Sequence, residues 1–367
     1  MSCRYLKIED FCSTGSGGTP SRSKPEYYEG GDIPWIKSGD LKDSKIYEAN
    51  EYITAAGLEN SSAKIVEKDS ILIAMYGATV GRLAILGINA ATNQAICNIR
   101  PDTTIADMKY LYYFLKSKFS YFVENAVGGA QPNISQGLIK SLEVPLPSLD
   151  EQKRIADILD KAAGVCQKRE QAIKLADDFL RAKFLEMFGT PANNIHRFPK
   201  GTIRDLVDSV NYGTSAKASI DSGEYPILRM GNITYQGRWD FTDLKYLDLS
   251  VKEKDKYLVK EGDLLFNRTN SKELVGKTAV YEEDRPMAFA GYLIRVRPNS
   301  IGNNYYISGY LNSIHGKITL MNMCKSIVGM ANINAQELQN IEILIPPKHL
   351  QDEYEIIYKK IKKGLSI

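Results

Sequence analysis

No apolar run in this chain approaches the roughly 20 residues that span a bilayer, so no membrane-crossing helix is expected. Nor does the opening segment, MSCRYLKIEDF, carry the apolar core of a secretory signal. The five cysteines (Cys3, Cys12, Cys97, Cys166, Cys324) are odd in number, scattered, and without a C-x-x-C pair. That excludes a disulfide framework and a structural zinc site, and fits a reducing cytoplasm. Histidine is scarce too. His196, His315 and His349 lie in three separate segments, which argues against a metal triad or a Ser-His-Asp order. Charge of one sign is also missing: the net is +3, so any surface for nucleic acid must be a local cluster.

What is present is the composition of a soluble globular protein, 43% hydrophobic and 25% charged. A length of 367 residues is too great for one ordinary domain and comfortable for two. The 22 tyrosines suit surfaces that are apolar in body and polar at the tip.

Self-similarity organises the chain. Residues 7–11 (KIEDF) echo 202–206 (TIRDL), each a helix opening. Residues 33–40 (IPWIKSGD) match 225–232 (YPILRMGN), and 66–74 (VEKDSILIA) match 259–267 (VKEGDLLFN), an apolar strand entered through a polar turn. Residues 80–85 (VGRLAI) match 275–280 (VGKTAV), 99–101 (IRP) match 296–298 (VRP), and 110–117 (YLYYFLKS) match 306–313 (YISGYLNS). The tightest match aligns 131–147 (QPNISQGLIKSLEVPLP) with 330–346 (MANINAQELQNIEILIP), without a gap, at a constant offset of 199.

Each repeat reads as mixed strands and short helices, hence α+β, followed by a helical segment. The first, Leu149–Phe188, has no proline and one glycine, and Gly189-Thr190-Pro191 ends it. Alternate steps of four and three give Ile155, Leu159, Ala162, Cys166, Arg169, Ile173, Ala176, Leu180, Lys183 and Met187. Only the two basic residues interrupt this seam, the heptad pattern of a coiled coil. At about 1.5 Å per residue such a helix is roughly 60 Å long. Its counterpart follows Pro346-Pro347, where the same offset carries the seam onto Tyr354, Tyr358, Ile361 and Leu365, and it is less than half as long. The expected organisation is a domain at 1–148, a spacer helix at 149–189, a second domain at 190–347 and a short helix at 348–367. The helices can pair antiparallel along their stripes; the simpler alternative is that each stripe packs on its own domain.

Catalytic look-alikes fail on inspection. Val275-Gly276-Lys277-Thr278 resembles the end of a P-loop, but Ser271 occupies the first required glycine position. Its repeat partner, Val80-Gly81-Arg82-Leu83, marks the glycine as part of a recurring strand element. Asp102, Asp107 and Lys109 resemble the Mg²⁺-binding skeleton of a nuclease, yet the second half has Asn299 in the equivalent place and a solvated turn is the better reading. Neither an Asn-Pro-Pro-aromatic loop nor a glycine-rich dinucleotide turn is present; Gly15-Ser16-Gly17-Gly18 runs into polar residues. A binding protein is left, with a stand-alone Mg²⁺-dependent nuclease and a protein-only coiled-coil scaffold as the alternatives.

Polar clusters at strand ends and loops supply binding candidates. In the first half these are Thr19, Ser21 and Arg22; Lys37; Tyr76, Thr79 and Arg82; and Gln131. In the second half they are Tyr212 and Thr214; Arg229; and Asn267, Arg268, Thr269, Asn270 and Lys272. Arg suits guanine edges and Asn or Gln adenine edges, while Lys, Ser and Thr suit phosphates. Gly18-Thr19-Pro20 also reads as a plain turn, and Asn133 and Asn332, recurring in both halves, as caps of the helices that follow. The run NRTNSKELVGK is the more specific signal, because it sets Asn267 to Asn270 at one strand edge.

The motifs GDIPWIKSGD, FNRTNSKELVGK, QPNIS and PLPSLDEQKRIADILD, in this order and duplicated, resemble those of type I restriction-modification specificity subunits. The resemblance implies two pseudo-symmetric target-recognition domains joined by long helices that form an antiparallel coiled coil. It further implies a cytoplasmic, non-catalytic subunit that binds a bipartite site on double-stranded DNA and directs adenine methylation and restriction by its partners. Those partners would be two modification subunits and two restriction subunits. S-adenosylmethionine, ATP and Mg²⁺ would belong to them and none to this chain. Family members usually have two helices of similar length, which puts the strength of assembly in question for the short second helix here.

Overall fold

The computed structural model describes residues 4–271, 274–324 and 331–365. It divides into two compact units, residues up to Cys166 and residues from Gln167, so that the helix Leu149–Phe188 contributes to both.

In the first unit, Arg4–Lys7 pairs antiparallel with Glu143–Leu146, which closes the unit by joining its two ends. A five-stranded sheet runs in the order Cys12–Ser16, Ile96–Pro101, Ile71–Ala74, Leu83–Leu86, Ser44–Ile46. Its centre is Ile71–Ala74, every residue of which is buried. That continuous apolar run is what a strand covered on both faces requires. Asp69, at φ 64°, makes the polar turn into it. A four-stranded sheet follows the order Glu51–Ile53, Ile33–Ile36, Ala90–Thr92, Ile65–Val66, with a parallel central pair. Helix Met108–Ser117 is capped by the Asp107 carboxylate and buries Tyr110, Leu111, Tyr112 and Leu115 in the core with Ile71, Ile73, Leu83 and Ile99.

The second unit repeats this plan. Lys200–Thr202 pairs with Glu342–Leu344 to join its ends. One sheet runs Val207–Tyr212, Leu293–Pro298, Leu264–Asn267, Thr278–Val280, and another Lys245–Leu247, Tyr225–Leu228, Ala288–Phe289, the last two strands again parallel. Each position in these orders has its counterpart in the first unit, which adds one outer strand to each sheet. Helix Asn304–Asn312, capped by Asn303, replaces Met108–Ser117. The α+β class and the duplication therefore both hold in the fold. Gly81 and Gly276, at φ 80° and 77°, make the same left-handed turn into Leu83–Leu86 and Thr278–Val280. This accounts for the P-loop resemblance as a strand element.

Within the second unit the helix Lys348–Leu365 runs antiparallel to the end of the long helix. Phe184 lies 5.3 Å from Tyr354 between ring centroids, and two turns further along Lys362 feels the charge of Asp177. Phe184 and Phe188 are fully buried, and each stacks on or edges Tyr306 as well. The buried stripe here is Leu180, Phe184 and Phe188, whereas the expected seam ran through Lys183 and Met187. At about 100° per residue each step of four turns the stripe by about 40°, which carries it off the heptad seam after Leu180. Leu159, Ala162 and Cys166, the earlier members of the seam, are exposed.

Candidate nucleic-acid interface

The candidate residues gather because backbone bonds tie their loops together in series. In the first unit Gly18 N–H donates to Thr92 O (2.9 Å), Asn93 to Ile36 O (2.9 Å), Met75 to Ala95 O (2.7 Å) and Gly77 to Pro132 O (2.8 Å). The loops bearing Thr19 to Arg22, Lys37, Gln94, Tyr76 to Arg82 and Gln131 thus form one continuous edge. In the second unit Thr214 donates to Phe289 O (2.9 Å), Ala290 to Leu228 O (2.9 Å), Arg268 to Tyr292 O (3.0 Å) and Ile333 to Arg268 O (2.9 Å). The last bond repeats Ile134 to Met75 O (2.9 Å), so Arg268 occupies the place of Met75 and Thr269 that of Tyr76. The scaffold is the same in both units and the side chains it presents differ.

On the first edge, Trp35 is buried with its indole N–H on Gly18 O (3.1 Å), and Tyr28 O–H donates to Pro20 O (2.5 Å). These two rings support Arg22, whose guanidinium carbon lies 4.3 Å from the Tyr28 centroid and 5.1 Å from that of Trp35. Arg22 also donates to one oxygen of Glu51 at 2.5 Å, and Lys37 to the other. The Lys37 and Arg22 bonds hold the Glu51 carboxyl below its ordinary pKa. Thr19 donates to Gln94, Ser21 shares a hydrogen bond with Ser23, and Thr79 donates to Tyr76 O. Arg82, Gln131 and 45% of Tyr76 are open to solvent.

The second edge is built around Tyr212 and Arg268. The guanidinium lies 4.8 Å from the Tyr212 ring centroid, the Tyr212 hydroxyl accepts from Ala335 N–H (2.9 Å), and Thr269 donates to Asn332 (3.2 Å). Arg268 Nε is buried without a hydrogen-bond partner among the described residues. Arg229 donates to the Asp243 carboxylate (2.8 Å) and carbonyl (3.0 Å).

Several expectations change. Asn267 is fully buried with its amide toward Leu274 O, and Thr214 is 5% exposed with its hydroxyl accepting from Ala216 N–H, so neither side chain is presented to a ligand. Asn133 and Asn332 are not caps. Ser135 and Asn334 cap those helices, while the two earlier asparagines bridge to Tyr76 and Thr269. Lys272 and the side chain of Asn270 lie outside the described residues. Lys277, equivalent to Arg82, is turned inward onto Met230 O (2.8 Å), and burial lowers its pKa.

The nuclease-like residues have other partners. Asp102 accepts from Thr104 N–H and O–H (2.9 and 2.7 Å), Asp107 caps a helix, and Lys109 pairs with Asp160. Among the described residues no group of three His, Cys, Asp or Glu side chains is arranged to hold a metal, and no helix is long and apolar enough to cross a membrane. Sequence reading missed Glu51 and Asp243. Neither stands in a recognisable motif, and only strand pairing brings Glu51 opposite Trp35.

Comparison with known proteins agrees with this plan. The family described as "Type I restriction modification DNA specificity domain" matches residues 4–175 and 198–365. The EcoR124I/EcoR124II specificity subunit of Escherichia coli is 33% identical over 150 residues, 40% of this chain and 37% of that one. The MjaIX specificity subunit of Methanocaldococcus jannaschii is 33% identical over 187 residues, 50% of this chain and 42% of that one. The match thus spans less than half the length of these two relatives. The EcoKI specificity subunit of Escherichia coli K12 is 24% identical over 349 residues, 89% of this chain and 74% of that one. The crystal structure of an S subunit from M. genitalium superimposes with a TM-score of 0.63 at 15% identity, covering 100% of this chain and 91% of that one, which shows a shared fold. With both halves matched, the chain belongs to the type I restriction-modification DNA specificity family.

Proposed function

We propose that this chain is the DNA-reading subunit of a type I restriction-modification assembly, and that each unit reads one half of a bipartite duplex target. One observation carries the reading: equivalent backbone bonds gather the same loops in both units, while equivalent positions bear different side chains, as Met75 against Arg268 and Tyr76 against Thr269. Two copies of one scaffold with different edge chemistry suit two different half-sites. Arg22, Lys37, Tyr76, Thr79, Arg82 and Gln131, with Thr19 and Ser21, form the first reading edge; Tyr212, Arg229, Arg268 and Thr269 form the second. Arginine forks read guanine edges in the major groove, and hydroxyls and lysines hold phosphates.

The chain itself is non-catalytic and works in the cytoplasm. Two modification subunits would supply S-adenosylmethionine-dependent adenine methylation, and two restriction subunits ATP- and Mg²⁺-dependent cleavage. Sequencing methylated adenines in cells carrying this chain and the modification subunit encoded with it tests the reading. A bipartite motif that disappears when the chain is removed is expected. Mg²⁺-dependent plasmid cleavage by the purified chain alone, lost in Asp107→Ala, would replace this function with a nuclease.

A further inference from the structure

Each reading edge contains a carboxylate that DNA would repel. Glu51 opens the strand Glu51–Ile53 and spends both oxygens on cations, one on Arg22 and the other on Lys37. Arg22 is held from behind by the Tyr28 and Trp35 rings, so ring face and carboxylate together fix the guanidinium plane. The base of the arrangement is fixed as well. Asp40 accepts from Lys37 N–H (2.8 Å) and from the Asn50 side chain (2.6 Å), which ties the segment before Glu51 to the loop that carries Lys37.

The second unit has the same device in different residues. Arg229 stands where Lys37 does, just after the central strand, and Asn232 accepts from its N–H (2.8 Å) as Asp40 does from that of Lys37. Asp243 then holds the Arg229 guanidinium, and its carbonyl is fixed in turn by Asn232 Nδ2 (3.0 Å). These pairs are partly exposed: the side chains of Arg22 and Asp243 are 53% and 81% accessible. Ion pairs this open add little to stability. A stabilising role therefore does not explain why an acid holds the equivalent cation, Lys37 or Arg229, on both edges, although strand register puts Lys245 and not Asp243 in the place of Glu51.

We propose that Glu51 and Asp243 are positioning residues for specificity, each holding the arginine of its edge in a fixed pose for base edges and away from phosphates. The inference rests on the DNA-reading function above. A free arginine or lysine on such a surface swings to the nearest phosphate, which adds affinity without sequence information. A carboxylate beside it offsets that pull and pre-orients the fork.

The test uses the whole chain together with its modification subunit. Methylated motifs are sequenced in cells carrying the wild type, Glu51→Gln or Asp243→Asn, and the purified complexes are titrated with a mixed-sequence duplex at several salt concentrations. Glu51→Gln is expected to make at least one position degenerate in one half-site and leave the other half intact; Asp243→Asn is expected to do the reverse. The log–log salt dependence of non-specific binding should steepen by about one phosphate contact in Asp243→Asn and by about one to two in Glu51→Gln. Glu51→Asp, which keeps the charge on a shorter arm, should relax the motif without steepening the slope. Unchanged motifs and slopes, or the same relaxation in both half-sites from either variant, overturn the proposal. A wild type that methylates no motif refutes the DNA-reading function itself, a result that the variants cannot imitate.

Discussion

Gln152 and Gln351, 199 positions apart, staple their helices in the same way. Gln152 Nε2 donates to Ile105 O (3.1 Å) and Pro147 O (2.9 Å), and Gln351 Nε2 donates to Ile301 O (3.0 Å) and Pro346 O (2.8 Å). Both side chains are fully buried. Each joins the first turn of a helix to the loop before it and to the loop ahead of Met108–Ser117 or Asn304–Asn312. The domain core is thereby fixed to the helix that leaves it.

The two differ at Oε1. That of Gln152 accepts from Asp107 N–H (2.9 Å), while that of Gln351 has no partner among the described residues. Replacement by leucine removes hydrogen bonds to two carbonyls in either case and one to a backbone N–H more in the first. With about 1 kcal/mol or more for each lost bond, Gln152→Leu should cost about 3 kcal/mol and Gln351→Leu about 2 kcal/mol. Urea unfolding of the two variants checks the order. A larger loss for Gln351→Leu would mean that the extra bond adds nothing.

Lys317 supplies a pH-dependent prediction. Burial first, then the charges of Arg181 and Lys277, bring its pKa down to about 8. Among the described residues its ammonium group has only Gly276 O (3.3 Å) and the Tyr235 ring (5.0 Å) as partners in hydrogen bonding and cation–π contact. The folded state disfavours the charged form, so folding carries a cost below pH 8 that is relieved as pH rises from about 8 toward the ordinary lysine value. Partial solvent access limits that cost to about 1 kcal/mol. Lys317→Met should therefore raise the melting temperature by about 2–4 °C at pH 7. The gain should shrink by pH 10, and a gain independent of pH would assign it to packing instead.

Arg268→Ala addresses the second edge. The guanidinium rests on Tyr212 and leaves Nε without a partner among the described residues, so it is held yet not consumed by the fold. The half-site read by the second unit should lose discrimination at one position, by about 1–3 kcal/mol, while the other half stays unchanged. Sequencing methylated adenines reads this directly. Equal loss in both halves would break the assignment of one unit to one half-site.

Much of this was legible in the sequence, for a physical reason. The duplication is carried by strands, turns and caps, whose residue types are dictated locally: the glycines at 81 and 276 by a left-handed backbone, and the acids at 10 and 205 by bonds back to Lys7 and Thr202 N–H. Side-chain direction was less visible. The alignment of 66–74 with 259–267 already placed Asn267 opposite Ala74, a buried strand position, yet its polarity suggested a ligand. The asparagines at 133 and 332 recur because they bridge two strands, and the caps stand two residues on. Glu51 and Asp243 were beyond reach, since their roles depend on partners 14 to 29 residues away in sequence.

The long helix offers the last test. Of its 40 residues, those from 157 to 172 are almost all exposed, so an insertion there disturbs little packing. If this helix sets the interval between half-sites, seven residues inserted between Ala162 and Ala176 lengthen it by about 10 Å, the rise of about three base pairs. Three base pairs also carry about 100° of duplex twist, whereas a heptad nearly preserves helix phase. The methylated motif should consequently keep both halves and gain one to three base pairs of spacer, the number being decided by how much twist the duplex absorbs. A motif with its spacer unchanged would mean that something other than this helix measures the interval.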